Sequence, residues 1–83
     1  MNYSIEDLKA AHKKVVGAKQ TLKCIEKGEA KAVFIAEDAE ERVVAPLINL
    51  CKEKEIAWGY AGSMIELGRA CEIKVGAAAV VII

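Results

Sequence analysis

Short apolar blocks bounded by glycine or by charged residues recur along this chain. An uninterrupted apolar run of about four to eight residues is typical of a strand covered on both faces, whereas apolar residues three and four apart are typical of a helix. The two patterns alternate in this sequence. Four strands are predicted, at residues 15–16, 32–36, 56–60 and 77–83.

The ends of three helices are marked by residues that can cap orphan backbone groups. Ser4 and Ser63 each stand before an acidic first turn, where the serine hydroxyl can accept an amide and the acidic residues suit the helix dipole. Gly28 suits the left-handed conformation that ends a helix. These signals predict helices over residues 4–12, 19–27 and 63–71.

A further helix is predicted from apolar residues at helical spacing, which are Val44, Leu47, Ile48 and Cys51. It is expected to end near residue 55, with Pro46 in its first turn, where a missing N–H is tolerated. Because helices and strands alternate, the predicted fold class is α/β, and the continuous apolar strands indicate helices on both faces of the sheet.

Length and composition favour a single domain over residues 1–83. Hydrophobic residues make up 54% of the chain and charged residues 29%, a balance typical of a chain that buries a core rather than one that stays disordered. No leader peptide or bilayer-length apolar run is recognisable. We therefore expect a cytoplasmic protein without a membrane partner.

The three cysteines, Cys24, Cys51 and Cys71, are odd in number and far apart in sequence. Disulfide frameworks and zinc sites usually show even counts or close pairs. We therefore expect reduced, partly buried thiols that bind no metal, and no cofactor is expected.

The formal net charge is zero, but the charges are unevenly distributed along the chain. Residues 1–31 hold seven lysines against four acidic residues, so this part carries three positive charges more than negative ones. Such an asymmetry fits a basic binding face, and it equally fits a solvated helix surface.

The segment Gly17-Ala18-Lys19-Gln20-Thr21-Leu22-Lys23 is the most informative part of the sequence. A glycine turn brings polar residues onto the opening turn of a helix, where the first backbone N–H groups lack internal partners and can bind a phosphate. Gln20 and Lys23 are three apart, so they share one helix face. The alternative interpretation is a row of ordinary surface lysines.

Other candidate sites are less specific. Glu37 and Asp38 at a strand end suit either a magnesium site or a solvated turn. Trp58 and Tyr60 share one face of a regular strand, so they suit either a stacking platform for bases or packing against helices. No nucleophile and base stand in a recognisable arrangement, so we expect no enzymatic activity.

Several ordered segments together resemble the ribosomal protein L-seven-Ae/L-thirty-e family of kink-turn RNA-binding proteins, and the short length is closest to its bacterial YbxF-type members. The resembling segments are residues 17–23, Ala36-Glu37-Asp38-Ala39, Leu67-Gly68-Arg69-Ala70-Cys71 and Val75-Gly76-Ala77-Ala78-Ala79-Val80. The resemblance implies a three-layer α-β-α sandwich with a mixed four-stranded sheet.

The same resemblance implies a non-catalytic function in binding kink-turn RNA through tandem sheared G-A pairs. It assigns guanine contacts to Gln20 and Lys23, phosphate contact to Lys19, and backbone contact to Gly17 and Ala18. It also implies that the bulged nucleotides pack against a second segment, formed by Ile73, Lys74, Val75 and Gly76. From the sequence pattern alone, Ile73 and Val75 would be interpreted as core residues.

The expected partner is therefore a structured RNA, with ribosomal RNA or a riboswitch as candidates, bound by a monomer; DNA is not expected. A different function remains open from the sequence. The acidic segment 37–42 and the third helix could hold a protein partner, in a ribosome-assembly or interaction module whose contact with RNA is minor.

Overall fold

The computed structural model describes residues 2–83. Within these residues, four helices alternate with four strands, as the apolar pattern predicts. The elements are α1 (Ile5–Ala10), β1 (Lys14–Val16), α2 (Ala18–Glu26), β2 (Ala32–Ile35), α3 (Glu41–Glu53), β3 (Ala57–Tyr60), α4 (Met64–Ala70) and β4 (Ala79–Ile82).

The four strands form one mixed sheet in the order β1-β4-β2-β3. Strand β4 is antiparallel to β1 and β2, while β2 and β3 are parallel. Strands β1, β2 and β3 therefore all end at the same end of the sheet, which is the end where β4 begins. The segments that follow these three strands and the loop that precedes β4 all lie at that end.

Helices cover both faces of the sheet. On one face Leu8 of α1 and Leu67 of α4 pack with Phe34 and Val80. On the other face α2 and α3 pack on the neighbouring strand residues, including Val33 and Val81. Because successive strand residues point to opposite faces, every residue of β2 and β4 is buried. The three-layer α-β-α sandwich with a mixed sheet is confirmed.

Three helices end with the same capping motif, in which a residue of positive φ follows the helix. The N–H groups of this residue and of the next one donate to carbonyls in the last turn of the helix. Gly28 serves α2 with φ 75°, and there the predicted glycine stop is confirmed. Glu55 serves α3 and Glu72 serves α4, with φ of 56° and 60°. Glutamate is strained in this conformation, because its Cβ crowds the backbone where glycine has no Cβ.

The prediction for Pro46 is wrong. Helix α3 begins at Glu41, five residues earlier, so the proline lies inside the helix and not in its first turn. The residues of α3 that precede Val44 are exposed, so they contribute no buried apolar position to the helical pattern. Pro46 is exposed, and the carbonyl of Arg42, which loses its usual amide partner, is on an exposed residue that water can solvate.

Lys14 joins the ends of two helices on one face of the sheet. Its Nζ donates to the carbonyl oxygens of Leu8 and Lys9 at 3.1 and 3.3 Å and to that of Ala70 at 3.5 Å. These carbonyls lie in the last turns of α1 and α4, where the helix dipole favours a cation; the Leu8 carbonyl also accepts from the Ala11 N–H at 3.3 Å.

Candidate nucleic-acid interface

The turn between β1 and α2 depends on the backbone freedom of Gly17. This residue has φ 107° and ψ 146° and is the N-cap of α2. A Cβ built there would find no atom within 4 Å, so the positive φ and not crowding requires glycine. As a result, the chain leaves the sheet and enters the helix without an intervening loop.

The first turn of α2 presents unpaired backbone donors. The Thr21 N–H donates to the Gly17 carbonyl at 2.9 Å, but the preceding N–H groups of Ala18, Lys19 and Gln20 have no acceptor within residues 2–83. Gly17 has no side chain to cap them. These amides, together with the positive end of the helix dipole, form a site suited to an anionic oxygen.

Three of the four polar side chains in residues 18–23 are directed away from the core. Thr21 is fully buried, whereas Lys19, Gln20 and Lys23 are exposed. Among the described residues, no hydrogen bond or ion pair engages any of these three exposed side chains. Gln20 and Lys23 are one helical turn apart, so a single docking molecule can contact an amide and an ammonium together.

The loop of residues 73–76 follows directly from the end of α4. The left-handed Glu72 turns the chain, and the Ile73 N–H donates to the Gly68 carbonyl at 3.0 Å. Val75 is 70% exposed, and Lys74 is exposed as well, while Ile73 is half-buried. The interpretation of Val75 as a core residue, which the sequence pattern alone favours, is therefore wrong.

Two glycines allow this loop to lie directly against α4. A Cβ built on Gly68 would lie 2.1 Å from the Val75 carbonyl oxygen, and one built on Gly76 would lie 3.0 Å from Cβ of Met64. The Ala77 N–H donates to the Met64 carbonyl at 3.0 Å just beyond the loop. The sequence pattern did not reveal the steric role of Gly68, although a glycine inside a helix signals a packing requirement.

A backbone hydrogen bond brings the two segments to the same end of the sheet. The Gly17 N–H donates to the carbonyl of Ala79, the first residue of β4, at 2.9 Å. Residues 17–23 and 73–76 therefore begin or lie at the same end of the sheet, and we call the surface that they form there the candidate RNA face. It contains three lysines, at 19, 23 and 74, and these two segments hold no acidic residue.

The excess of lysines in residues 1–31 does not form one face. The carbonyl of Lys13 accepts from the N–H of Ile83, and the N–H of Lys31 donates to the carbonyl of Ile82. Both lysines therefore lie where β4 ends, at the far end of the sheet from the candidate RNA face. The count of lysines in residues 1–31 therefore does not identify a single basic face.

The acidic segment 37–42 is partly engaged within the chain. Asp38 Oδ1 accepts from the Met64 N–H at 2.8 Å, and Arg42 pairs with Glu40 at 3.0 Å. Glu37 is exposed. Among residues 2–83 no group of three His, Cys, Asp or Glu side chains lies close enough to hold a metal ion. The same residues include no helix long and apolar enough to cross a membrane.

The two aromatic residues of β3 lie at the sheet edge opposite β1. Trp58 and Tyr60 share one face, as predicted, with ring centroids 5.8 Å apart in an edge-to-face arrangement. Trp58 packs against the core under α2 and α3, and Lys52 Nζ lies 5.7 Å from its centroid. The structure favours packing over a stacking platform for Trp58.

The three cysteines are free thiols, and the surroundings of Cys51 and Cys71 disfavour the thiolate. Burial raises the pKa of Cys51 to about 11. Burial also raises the pKa of the Cys71 thiol, although the positive charge of Lys14 acts in the opposite direction. Since the thiolate is the nucleophilic form, neither side chain is activated for attack.

Comparison with known proteins gives a consistent set of similarities. A family model described as the ribosomal protein L7Ae/L30e/S12e/Gadd45 family matches residues 1–83. An RNA-binding protein of Caldanaerobacter subterraneus is 53% identical over 66 residues, with 80% of each chain covered. The RNA-binding protein YbxF of Geobacillus stearothermophilus is 40% identical over 80 residues, with 96% of this chain and 98% of that protein covered.

The fold is also found among solved structures. The Giardia lamblia 15.5kD RNA binding protein matches with a TM-score of 0.83 at 30% identity. The match covers 94% of this chain and 66% of that chain, so this chain spans about two thirds of the Giardia protein. The shared fold extends over nearly all of the elements that position the candidate RNA face.

Proposed function

This chain belongs to the ribosomal protein L7Ae/L30e/S12e/Gadd45 family and is an RNA-binding protein of that family, and we propose that the RNA it recognises is a kink-turn. The observation that carries the proposal is the open first turn of α2. The unpaired amides of this turn have no protein acceptor within residues 2–83, and the exposed side chain of Gln20 lies beside them, with exposed Lys23 one turn further along the helix.

The chemistry of this turn suits the guanines of sheared G-A pairs. Sheared pairing leaves part of the guanine edge free, whereas Watson–Crick pairing occupies it. The Lys23 ammonium supplies only donors and suits guanine O6 and N7, while the Gln20 carbonyl can accept from an imino or amino group. Both side chains are free to reach the RNA, because neither makes a hydrogen bond within the described residues.

The unpaired amides of Ala18 and Lys19 suit a backbone phosphate. The Lys19 ammonium adds a charge at the same place, and such phosphate contacts fix the position of the RNA without reading its sequence. Gly17 contributes by its conformation, since a side chain there would be strained and a capping side chain would compete for the amides.

The loop of residues 73–76 suits the unstacked nucleotides of the kink-turn bulge. Recognition of RNA commonly uses splayed bases that pack on exposed side chains. Val75 offers an exposed apolar surface, Ile73 is half-buried, and Lys74 adds a cation. Gly76 keeps the backbone close to α4, so the loop is held in one position before RNA arrives.

We further propose that the protein acts by binding and not by catalysis. A protein that binds the tightly bent RNA better than the extended form shifts the population toward the bent form by the difference in affinity. Ribosomal RNA and riboswitches in the cytoplasm are the proposed targets, with one protein monomer per kink-turn.

Single substitutions test the two proposed base contacts. Gln20→Ala and Lys23→Ala should each weaken binding to a kink-turn RNA by about 1–3 kcal/mol, with little change in the free energy of unfolding, because both side chains are exposed. Lys27→Ala is the matched control, since it removes an exposed lysine from the C-terminal end of the same helix. An equal, small loss of affinity in all three variants would contradict direct base contacts and would indicate nonspecific attraction for phosphate.

A further inference from the structure

We propose that Asp38 is a positioning residue for the loop of residues 73–76 and acts on it through the first residue of α4. This inference rests on the proposed RNA-binding function, because the loop is half of the candidate RNA face. Asp38 lies in neither segment of that face. Its contribution would be to hold the loop in the conformation that the RNA meets.

The first contact joins the turn after β2 to the start of α4. Asp38 Oδ1 accepts from the Met64 N–H at 2.8 Å. The capping box of Ser63 and Glu66 uses the N–H groups of those two residues and leaves the Met64 N–H free. Asp38 therefore fills a place at this helix end that the local cap does not satisfy.

The second contact joins the same residue of α4 to the loop. The Met64 carbonyl accepts from the Ala77 N–H at 3.0 Å, directly after the loop. Gly76 packs so closely on Met64 that an added Cβ would lie 3.0 Å from the Met64 Cβ. The residue whose amide is held by Asp38 is thus also the residue that supports the C-terminal end of the loop.

The turn that carries Asp38 is itself anchored to its neighbours. The Ala36 N–H donates to the Ala78 carbonyl at 2.9 Å, and the Glu37 N–H donates to the Gly62 carbonyl at 2.8 Å. These bonds tie the turn to the segment just before β4 and to the segment just before α4. The backbone next to Asp38 is therefore held in place relative to the segment before β4 and the segment before α4.

The direction in which RNA affinity changes when Asp38 is removed separates a positioning residue from a solvated surface acid. A carboxylate at the same end of the sheet as the RNA repels phosphate, so removing a merely solvated Asp38 should leave RNA affinity unchanged or raise it. Removing a positioning residue should lower the affinity. The two interpretations predict opposite changes for one substitution.

The test compares three variants in binding to a kink-turn RNA. Asp38→Ala should lower the affinity about fivefold. This change corresponds to the free energy lost with a typical helix cap, about 1 kcal/mol. Asp38→Asn should keep the affinity within about twofold, because the amide oxygen still accepts from the Met64 N–H. Glu37→Ala is the control for charge, since the neighbouring carboxylate is exposed and makes no side-chain hydrogen bond within residues 2–83; it should not weaken binding.

Hydrogen exchange in the free protein tests the positioning without RNA. In Asp38→Ala the Ala77 amide should exchange at least about fivefold faster, while the Thr21 amide of α2 should keep its rate, and Asp38→Asn should restore slow exchange at Ala77. Unchanged exchange and unchanged affinity in Asp38→Ala would overturn the inference. If instead no variant of the candidate RNA face affects RNA binding but Ala77 still responds to Asp38, the proposed function fails and the positioning contact stands.

Discussion

Replacement of Gly68 by alanine tests whether close contact between α4 and the loop of residues 73–76 is needed for RNA binding. The new Cβ would lie 2.1 Å from the Val75 carbonyl oxygen, whereas real Cβ contacts essentially never fall below 3.0 Å. The backbones of α4 and the loop must therefore separate by about 0.9 Å or more. Because the obstructing atom is a backbone atom, a change of side-chain rotamer cannot relieve the clash.

The magnitudes favour a larger effect on binding than on folding. Overpacking costs about 1–3 kcal/mol, while alanine is favoured over glycine inside a helix by about 1 kcal/mol, so the free energy of unfolding should fall by about 0–2 kcal/mol. A displaced loop would lose the burial of the exposed Val75 side chain against bulged nucleotides, which is worth about 1–3 kcal/mol. The dissociation constant should then rise by about fivefold to a hundredfold.

The assay pairs calorimetric titration of a kink-turn RNA with urea unfolding of the free protein. Gly28→Ala is the control, because a Cβ there meets no atom within 4 Å but the residue has φ 75° at the far end of α2. It should lower the free energy of unfolding by about 1 kcal/mol through backbone strain and leave affinity unchanged. Unchanged RNA affinity in Gly68→Ala, together with unchanged stability, would refute the steric argument.

Three further substitutions test the packing. Lys14→Met should lower the free energy of unfolding by about 1–3 kcal/mol in urea, since it leaves helix-end carbonyls without their cation; Lys13→Met, at an exposed neighbour, should change it little. Thr21→Val should raise it by about 1 kcal/mol, because the buried Thr21 hydroxyl has no hydrogen-bond partner within the described residues; a loss would reveal a partner in solution. Glu55→Gly should raise the thermal midpoint by relieving about 1 kcal/mol of left-handed strain, and a lower midpoint would contradict that.

The elements of the fold could be predicted from local patterns, but their arrangement could not. Uninterrupted apolar runs identify β2 and β4 because those strands are buried on both faces. The order β1-β4-β2-β3 depends on pairings between distant segments, and periodicity contains no information about them. The family resemblance, and not the spacing of apolar residues, predicted the mixed four-stranded sheet.

Helix ends were predictable where the residue type matches the conformation. Gly28 signals its own positive φ, whereas Glu55 and Glu72 adopt the same conformation against their preference and give no signal in the sequence. The start of α3 was missed for a related reason. Its first residues are polar and exposed, so only the buried face that begins at Val44 shows helical spacing.

The candidate RNA face was predictable in part. Lys19, Gln20 and Lys23 follow Gly17 within six residues, so their exposure along α2 follows from local structure. The close approach of Gly68 to Val75 and the hydrogen bond between Asp38 and Met64 join segments that are distant in sequence. Their proximity depends on the tertiary fold. No local rule predicts such contacts, and the sequence left Asp38 as either a metal ligand or a solvated turn.

We expect this protein to distinguish the exposed guanine edges of sheared pairs from the paired edges of an ordinary duplex. The most direct measurement is a titration of the wild-type protein, at several salt concentrations, against a kink-turn RNA and the same RNA with its sheared pairs changed to Watson–Crick pairs. We predict that the kink-turn binds at least about tenfold more tightly at every salt concentration, because two base contacts of about 1–3 kcal/mol each are lost in the changed RNA. Equal affinities that fall together as salt rises would contradict the claim.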